Sequence, residues 1–141
     1  MQKFLIVLLL FVAQAALAKD YPNMIGTWTG AVKQVQAGKG AGVAKGGMQV
    51  SETNLTVKIH HQEGATFMGK SRTSATATDS SGSGVWGTIR STGDEAIFVT
   101  EVGASGHIWI ISPKTFEFCV TNLDAEQDIV TAYCASLSKE T

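Results

Sequence analysis

Apolar and polar residues alternate along most of the chain after residue 20, in short runs separated by turn residues. Leu55, Val57 and Ile59 fall on one side of an extended segment, for example. The intervening Thr56 and Lys58 fall on the other side. A period of two is typical of β-strands that turn one face toward a core. The pattern predicts eight strands: Ile25–Lys33, Gln49–His61, Thr66–Ser74, Val85–Ser91, Ala96–Val102, His107–Ser112, Thr115–Thr121 and Ile129–Ser138.

Most connections between these predicted strands are short, so each strand is expected to pair with the one before it. This predicts an all-β fold, an eight-stranded antiparallel up-and-down β-barrel, whose closure removes exposed edges. A sandwich of two sheets fits the same strands and stays open as an alternative. Two longer connections rich in glycine, alanine or serine, residues 37–47 and 76–84, are predicted to be mobile loops.

The first eighteen residues have the layout of a secretory signal peptide. Lys3 is followed by an unbroken apolar run from Phe4 to Val12, and Ala16-Leu17-Ala18 is a small-residue cleavage site. The run is shorter than the ~20 residues that span a bilayer, which argues against the alternative, an uncleaved anchor helix. We expect cleavage after Ala18, a single β-barrel domain at 19–141, and a secreted or periplasmic location.

Length and charge narrow the function classes. A chain of 141 residues suits one domain, and its formal net charge of −1 gives no electrostatic footprint for nucleic acid. No second long apolar run follows residue 18, so stable membrane insertion is not expected.

The two cysteines are predicted to form one disulfide. An exported chain with an even cysteine count favours a bond, and two thiols alone are too few for a zinc site. In the last predicted hairpin, placing Asp124 opposite Ile129 also places Cys119 opposite Cys134, on the outer face. Opposed Cβ atoms in such a pair lie about 4.5–5.5 Å apart, close to disulfide geometry.

The first predicted strand opens with Gly26-Thr27-Trp28-Thr29-Gly30, an indole between two glycines on the same face. Because glycine leaves space for a neighbouring ring, Trp28 is predicted to plug the floor of the barrel, and a position in a ligand site is the alternative.

Gly26-Thr27-Trp28 resembles the first strand of the calycin-like barrels, the lipocalins and avidins, where an indole lies across one end of the barrel. "TFMGK" at 66–70 and "VWGTI" at 85–89 are similar to the short aromatic-glycine strands of avidins. The biotin-binding residues of avidins are not matched, since Trp28 is followed by Thr-Gly-Ala-Val and the last strand has no aspartate. The resemblance implies a small secreted barrel but not biotin as the ligand.

Two functions fit a small barrel of this kind. The first is a binding module for a small apolar or aromatic molecule, because aromatic side chains frequently line such cavities. The alternative is a secreted or periplasmic protein-interaction domain, an inhibitor or envelope accessory, that acts through its loops around a filled barrel. Candidate ligand-binding residues are Trp28, Phe67, Trp86, Phe98, Trp109 and Tyr133.

No constellation in the sequence points to catalysis, a metal or a cofactor. His60 and His61 are adjacent on a strand and point to opposite faces, so they do not chelate together. The serines lie in polar loops without a nucleophile elbow. The protein is therefore expected not to be an enzyme. Asn54-Leu55-Thr56 matches the glycosylation sequon, which matters only in a eukaryotic host.

Overall fold

The computed structural model describes residues 20–38, 47–74, 82–126 and 128–141. Consecutive strands pair antiparallel, and the first also pairs with the last, which closes a barrel. The predicted eight-stranded meander is confirmed, and closure rules out the sandwich. The strands are β1 (Gly26–Gly38), β2 (Met48–Glu63), β3 (Thr66–Thr73), β4 (Ser83–Ile89), β5 (Glu95–Thr100), β6 (Ser105–Ser112), β7 (Thr115–Asp124) and β8 (Ile129–Lys139).

The core lies inside the barrel and contains the apolar half of each alternating pattern. Phe116, Phe118 and Val120 of β7 point inward, whereas Glu117 is exposed. No polar or charged residue among those described is fully buried. The alternation is therefore the direct cause of the barrel, since each strand can bury only one of its faces.

The strand ends agree with the prediction to within three residues, except at the end of β1. β1 was expected to end at Lys33 and continues to Gly38. Its additional inward positions, Gln34 and Gln36, are polar and only half-buried, so the apolar alternation stops before the backbone pairing does.

Several predictions concern residues outside the described ranges. They are the signal peptide at 1–18 and the central parts of the two long connections, residues 39–46 and 75–81. Among the described residues, no helix is long and apolar enough to cross a membrane.

The disulfide between Cys119 and Cys134 is confirmed. The two residues are direct register partners in the β7–β8 ladder, with Cα atoms 4.1 Å apart. Asp124 lies opposite Ile129, as expected, so the register of the last hairpin follows from its connecting loop.

Candidate functional site

One end of the barrel is closed by a floor that consists of Met24, Trp28 and Phe116. Trp28 is 1% exposed, and its Nε1 donates a hydrogen bond to the carbonyl of Met24 at 2.9 Å. Its ring packs on Phe116 at a centroid distance of 4.6 Å. The Met24 amide donates to Gln62 Oε1 at 2.8 Å, which holds the segment before β1 across the barrel end. Trp28 is thus a fully satisfied floor residue.

The glycines beside Trp28 make room for something other than the indole, which corrects the sequence-based explanation. A Cβ at Gly30 would overlap the Ser136 carbonyl oxygen and lie 2.7 Å from Leu137 Cδ2. A Cβ at Gly26 would overlap the end of the Lys139 side chain, and Gly26 has a φ of +144°. Gly30 therefore allows the β8 backbone to lie close to β1 where the barrel closes, whereas Gly26 leaves room only for the end of a flexible lysine side chain.

Above the floor lies a cavity of about 40 Å³. Its lining is almost entirely apolar and contains no Asp, Glu, Lys or Arg. The apolar residues of the lining are Leu55, Val57, Ile59, Phe67, Val85, Phe98, Ile108, Phe116, Phe118 and Leu137.

The structure brings three of the six candidate ligand residues together at this cavity: Phe67, Phe98 and Tyr133. Trp28 is inside the barrel but in the floor. The expectation that Trp86 and Trp109 also line this cavity is wrong. Trp86 is 44% exposed and Trp109 is 37% exposed, both on the outside of the barrel. The reason is parity, since Val85 and Ile108 take the inward positions next to them.

The exposed indoles belong to an outer apolar face, defined as Met68, Trp86, Ile97, Val99 and Trp109. Met68 is the register partner of Trp86, and Trp86 is the partner of Val99. All five side chains are exposed. The face runs from β3 to β6 along the barrel wall.

Polar groups lie beside this face. The Trp109 ring stacks on His107 at 4.6 Å, with 12° between the planes. His107 Nε2 is 3.5 Å from Glu95 Oε2 without hydrogen-bond geometry, so this contact is an ion pair only when the imidazole is protonated. Glu95 also binds Arg90, and the hydrogen bond and charge of Glu95 raise the pKa of Arg90.

The end opposite the floor is a polar mouth, defined as Ser71, Ser83, Thr100, Asn122 and Tyr133. Three of these residues line the cavity: Ser71, Thr100 and Tyr133. Tyr133 packs edge-on against Phe118 at 5.8 Å, and burial raises the pKa of its phenol. The interior therefore changes from apolar to polar along the barrel axis.

Phe116 and Phe118 line the cavity but are not among the candidate ligand residues. The signal that identifies them is the alternation in "TFEFCVT", which places both rings inward. Ser83 and Asn122 were also missed, and Ser83 Oγ and Asn122 Oδ1 are buried without a hydrogen-bond partner. No sequence pattern marks them, because both lie at strand ends next to turn residues.

Within the described ranges, no group of three or more His, Cys, Asp or Glu side chains is arranged to hold a metal ion. The three histidines lie outside the barrel: His60 and His61 are exposed, and His107 is half-buried on the outer wall. The chemistry available inside the barrel is apolar contact and neutral hydrogen bonding.

No protein-family model matches the sequence, and no curated protein matches it, so the calycin-like resemblance stays a prediction. In structure the chain is similar to a redesigned β-barrel, with 17% identity and a TM-score of 0.47, covering 84% of this chain and 92% of that one. It is also similar to an S-type phycobiliprotein lyase, CpeS, from Guillardia theta, with 11% identity and a TM-score of 0.45, covering 84% and 89%. A third similar structure is EF1p2_mFAP2b bound to DFHBI, with 14% identity and a TM-score of 0.45, covering 83% and 94%.

Proposed function

We propose that the protein is a binding module that takes a small, largely apolar or aromatic molecule into the barrel. The observation that carries the proposal is the apolar cavity lined by Phe67, Phe98, Phe116, Phe118 and Tyr133. Aromatic walls with a few polar groups at one end are typical of small-molecule sites. Because the floor closes the other end, the ligand enters through the polar mouth.

The size of the cavity limits the ligand. Its 40 Å³ exceed the ~15 Å³ that a single water needs, but lie well below the ~300 Å³ typical of pockets for drug-sized molecules. A cavity that binds benzene has a volume of about 150 Å³, so a single-ring ligand, or the apolar end of a larger molecule, fills the cavity and extends into the mouth.

We further propose that the protein is exported to a secreted or periplasmic location and is not an enzyme. The N-terminal eighteen residues and the disulfide support export. The cavity lining has no charged side chain, histidine or thiol to act as acid, base or nucleophile.

Titration with toluene tests binding in the barrel, followed by amide chemical shifts in NMR spectra. We expect saturable shifts that map to the cavity walls. Val57→Phe fills the cavity from inside and should abolish them, whereas Val99→Phe adds the same ring on the exposed outer face and should not. Saturable binding that survives Val57→Phe would place the site elsewhere.

Native mass spectrometry of the protein from its own compartment, purified without reductant, tests for a natural ligand. Extra mass that disappears on denaturation identifies a carried molecule. A bare polypeptide, together with no toluene binding, would contradict the proposal.

The outer apolar face favours a second candidate, a protein-interaction domain. Two exposed indoles beside Met68, Ile97 and Val99 form the kind of contiguous apolar patch that marks protein contacts. This contact would use the barrel wall rather than the loops. If it is correct, chemical cross-linking in the native compartment captures a partner with the wild type and loses it with the Trp86→Ser, Trp109→Ser double variant.

A further inference from the structure

The polar mouth contains two buried polar atoms that have no hydrogen-bond partner. They are Ser83 Oγ on β4 and Asn122 Oδ1 on β7. Both side chains point into the barrel by parity, because Val85 and Val120 two residues away are buried inward positions. Nearly all buried polar groups in proteins are paired, so each of these atoms needs an explanation.

The two atoms flank the same part of the mouth. Asn122 is in register with Thr131 of β8, and the β5–β6 turn lies on its other side, where Ala104 is buried. Next to Ser83, Gly84 accepts a hydrogen bond from the Glu101 amide in that turn. Ser83 and Asn122 therefore lie on the two sides of the hairpin end formed by residues 101–104.

The turn itself does not satisfy either atom. Glu101 exchanges hydrogen bonds with the Gly84 backbone, the Ala104 amide donates to Thr100 Oγ1 at 3.1 Å, and the Thr100 amide donates to the Ala104 carbonyl at 2.8 Å. Thr100 is thus paired where Ser83 and Asn122 are not. The hydrogen bonds around the hairpin therefore leave the side-chain oxygens of Ser83 and Asn122 unpaired toward the lumen.

Tyr133 adds a further hydroxyl at the same end of the barrel. A phenol keeps its proton at neutral pH and can donate it, and burial raises the pKa of Tyr133 further. No charged side chain lines the cavity below. A charged ligand group would therefore lose its hydration without gaining a counter-ion, whereas a neutral group would not.

We propose that the polar mouth binds the hydroxyl group of the ligand, whose apolar body fills the cavity, so that the ligand class is phenols and comparable small neutral alcohols. The inference rests on the proposed function. A hydroxyl suits the mouth because it donates to an amide oxygen such as Asn122 Oδ1 and accepts from a side-chain hydroxyl such as that of Ser83. An apolar ring alone would leave both atoms unpaired.

The test compares phenol with toluene. The two molecules have similar shapes, but phenol carries a hydroxyl group where toluene carries a methyl group. Dissociation constants are measured by NMR titration for the wild type, Asn122→Leu and Ser83→Ala. We expect each substitution to weaken phenol binding about tenfold and to change toluene binding less than twofold. Thr131→Val is the matched control, since the Thr131 hydroxyl is next to Asn122 in register and already accepts from Gln36.

A second readout separates a binding role from a structural one. Removing an unpaired buried polar atom does not cost stability, so the melting temperature of ligand-free Asn122→Leu should equal or exceed that of the wild type. A lower melting temperature would mean that Asn122 is paired in the protein and would overturn the inference. An equal change in the affinities for toluene and phenol in Asn122→Leu would also overturn the inference. If neither compound binds the wild type, the proposed function itself fails.

Discussion

At the scale of single residues, Trp28 shows why a large aromatic ring occurs so early in the chain. Its ring is buried against Phe116, its N–H is paired with Met24, and Lys139 Nζ lies 5.2 Å from the ring centroid. Three separate segments thus meet on one side chain. Trp28 thus connects the segment before β1, the start of β7 and the end of β8.

Replacing Trp28 with alanine should therefore lower the free energy of unfolding by about 3–5 kcal/mol, the usual cost of removing a buried aromatic ring. Urea denaturation followed by circular dichroism measures the loss. Trp86→Ala is the matched control, because Trp86 lies on the outer surface and should cost ~1 kcal/mol or less. Equal losses for the two variants would contradict the assignment of Trp28 as the floor.

Gly87 is the residue that decides where the Phe67 ring lies. The two residues are register partners on β4 and β3, and a Cβ at Gly87 would overlap the end of the Phe67 ring. Phe67 is buried and lines the cavity. The absence of a side chain at 87 therefore helps to shape the cavity wall.

Gly87→Ala should displace the Phe67 ring, cost about 1–3 kcal/mol of stability and weaken toluene binding. Gly64→Ala is the control for the loss of a glycine as such. Nothing lies within 4 Å of its added Cβ, but its φ of +55° costs an L-residue ~1 kcal/mol of strain. Toluene affinity should be unchanged in Gly64→Ala, and an equal loss in both variants would exclude a specific role for Gly87.

At the scale of elements, the strands were predictable because a period of two is a local property of the chain. The Cys119–Cys134 pairing was predictable because a four-residue loop sets the register of the last hairpin. Which face of a strand points into the barrel depends on residues far away in the sequence. "VWGTI" contains Val85 and Trp86 at adjacent positions, and only the register with β3 and β5 places the valine inside and the indole outside.

The polar mouth was not predictable for a related reason. Gln34 and Gln36 lie inside the barrel, although polarity alone suggests a loop or an outer face. They remain in a strand because their backbone groups pair with both β2 and β8. Backbone pairing thus extends β1 past the point where side-chain burial would define it, and it places two glutamines in register with Tyr133 and Thr131 at the polar end of the barrel.

The β2–β3 ladder contains an unfavourable pair that substitution should relieve. Lys58 and Lys70 are direct register partners on the outer wall, and Arg72 lies two residues further along β3. Like charges directly opposite each other destabilise a sheet. Lys70→Glu should raise the free energy of unfolding by ~0.5–1 kcal/mol at low ionic strength.

The gain should shrink as salt is added, because exposed charges are screened. Urea denaturation midpoints of the wild type and Lys70→Glu, at low salt and at 0.5 M NaCl, measure this gain in stability. Lys33→Glu is the matched control, because it makes the same charge change opposite Glu52, the register partner with which Lys33 forms an ion pair, and should lower the free energy of unfolding instead. A salt-independent gain for Lys70→Glu, or an equal gain for Lys33→Glu, would show that the Lys58–Lys70 pair is not the source of the gain.

At the scale of the whole molecule, the barrel has a closed apolar end and a polar end, and its stability depends on keeping the interior uncharged. Tyr133 is the titratable residue of the cavity lining among the described residues. Burial raises the pKa of its phenol above the ordinary value of 10.0. In the unfolded chain the same phenol ionises at that ordinary value.

The sign of the pH dependence follows from this difference. Above pH 10 the unfolded state loses the Tyr133 proton while the folded state keeps it, so unfolding becomes more favourable as the pH rises. The effect is absent below the unfolded pKa and is at most ~1.4 kcal/mol per pH unit above it.

Urea midpoints of the wild type and Tyr133→Phe between pH 8 and 11 isolate the contribution of Tyr133, because all other titrating groups are shared. The wild type should lose stability relative to Tyr133→Phe only above about pH 10. Parallel curves over the whole range would mean that the phenol ionises equally in both states and that the mouth is open to water.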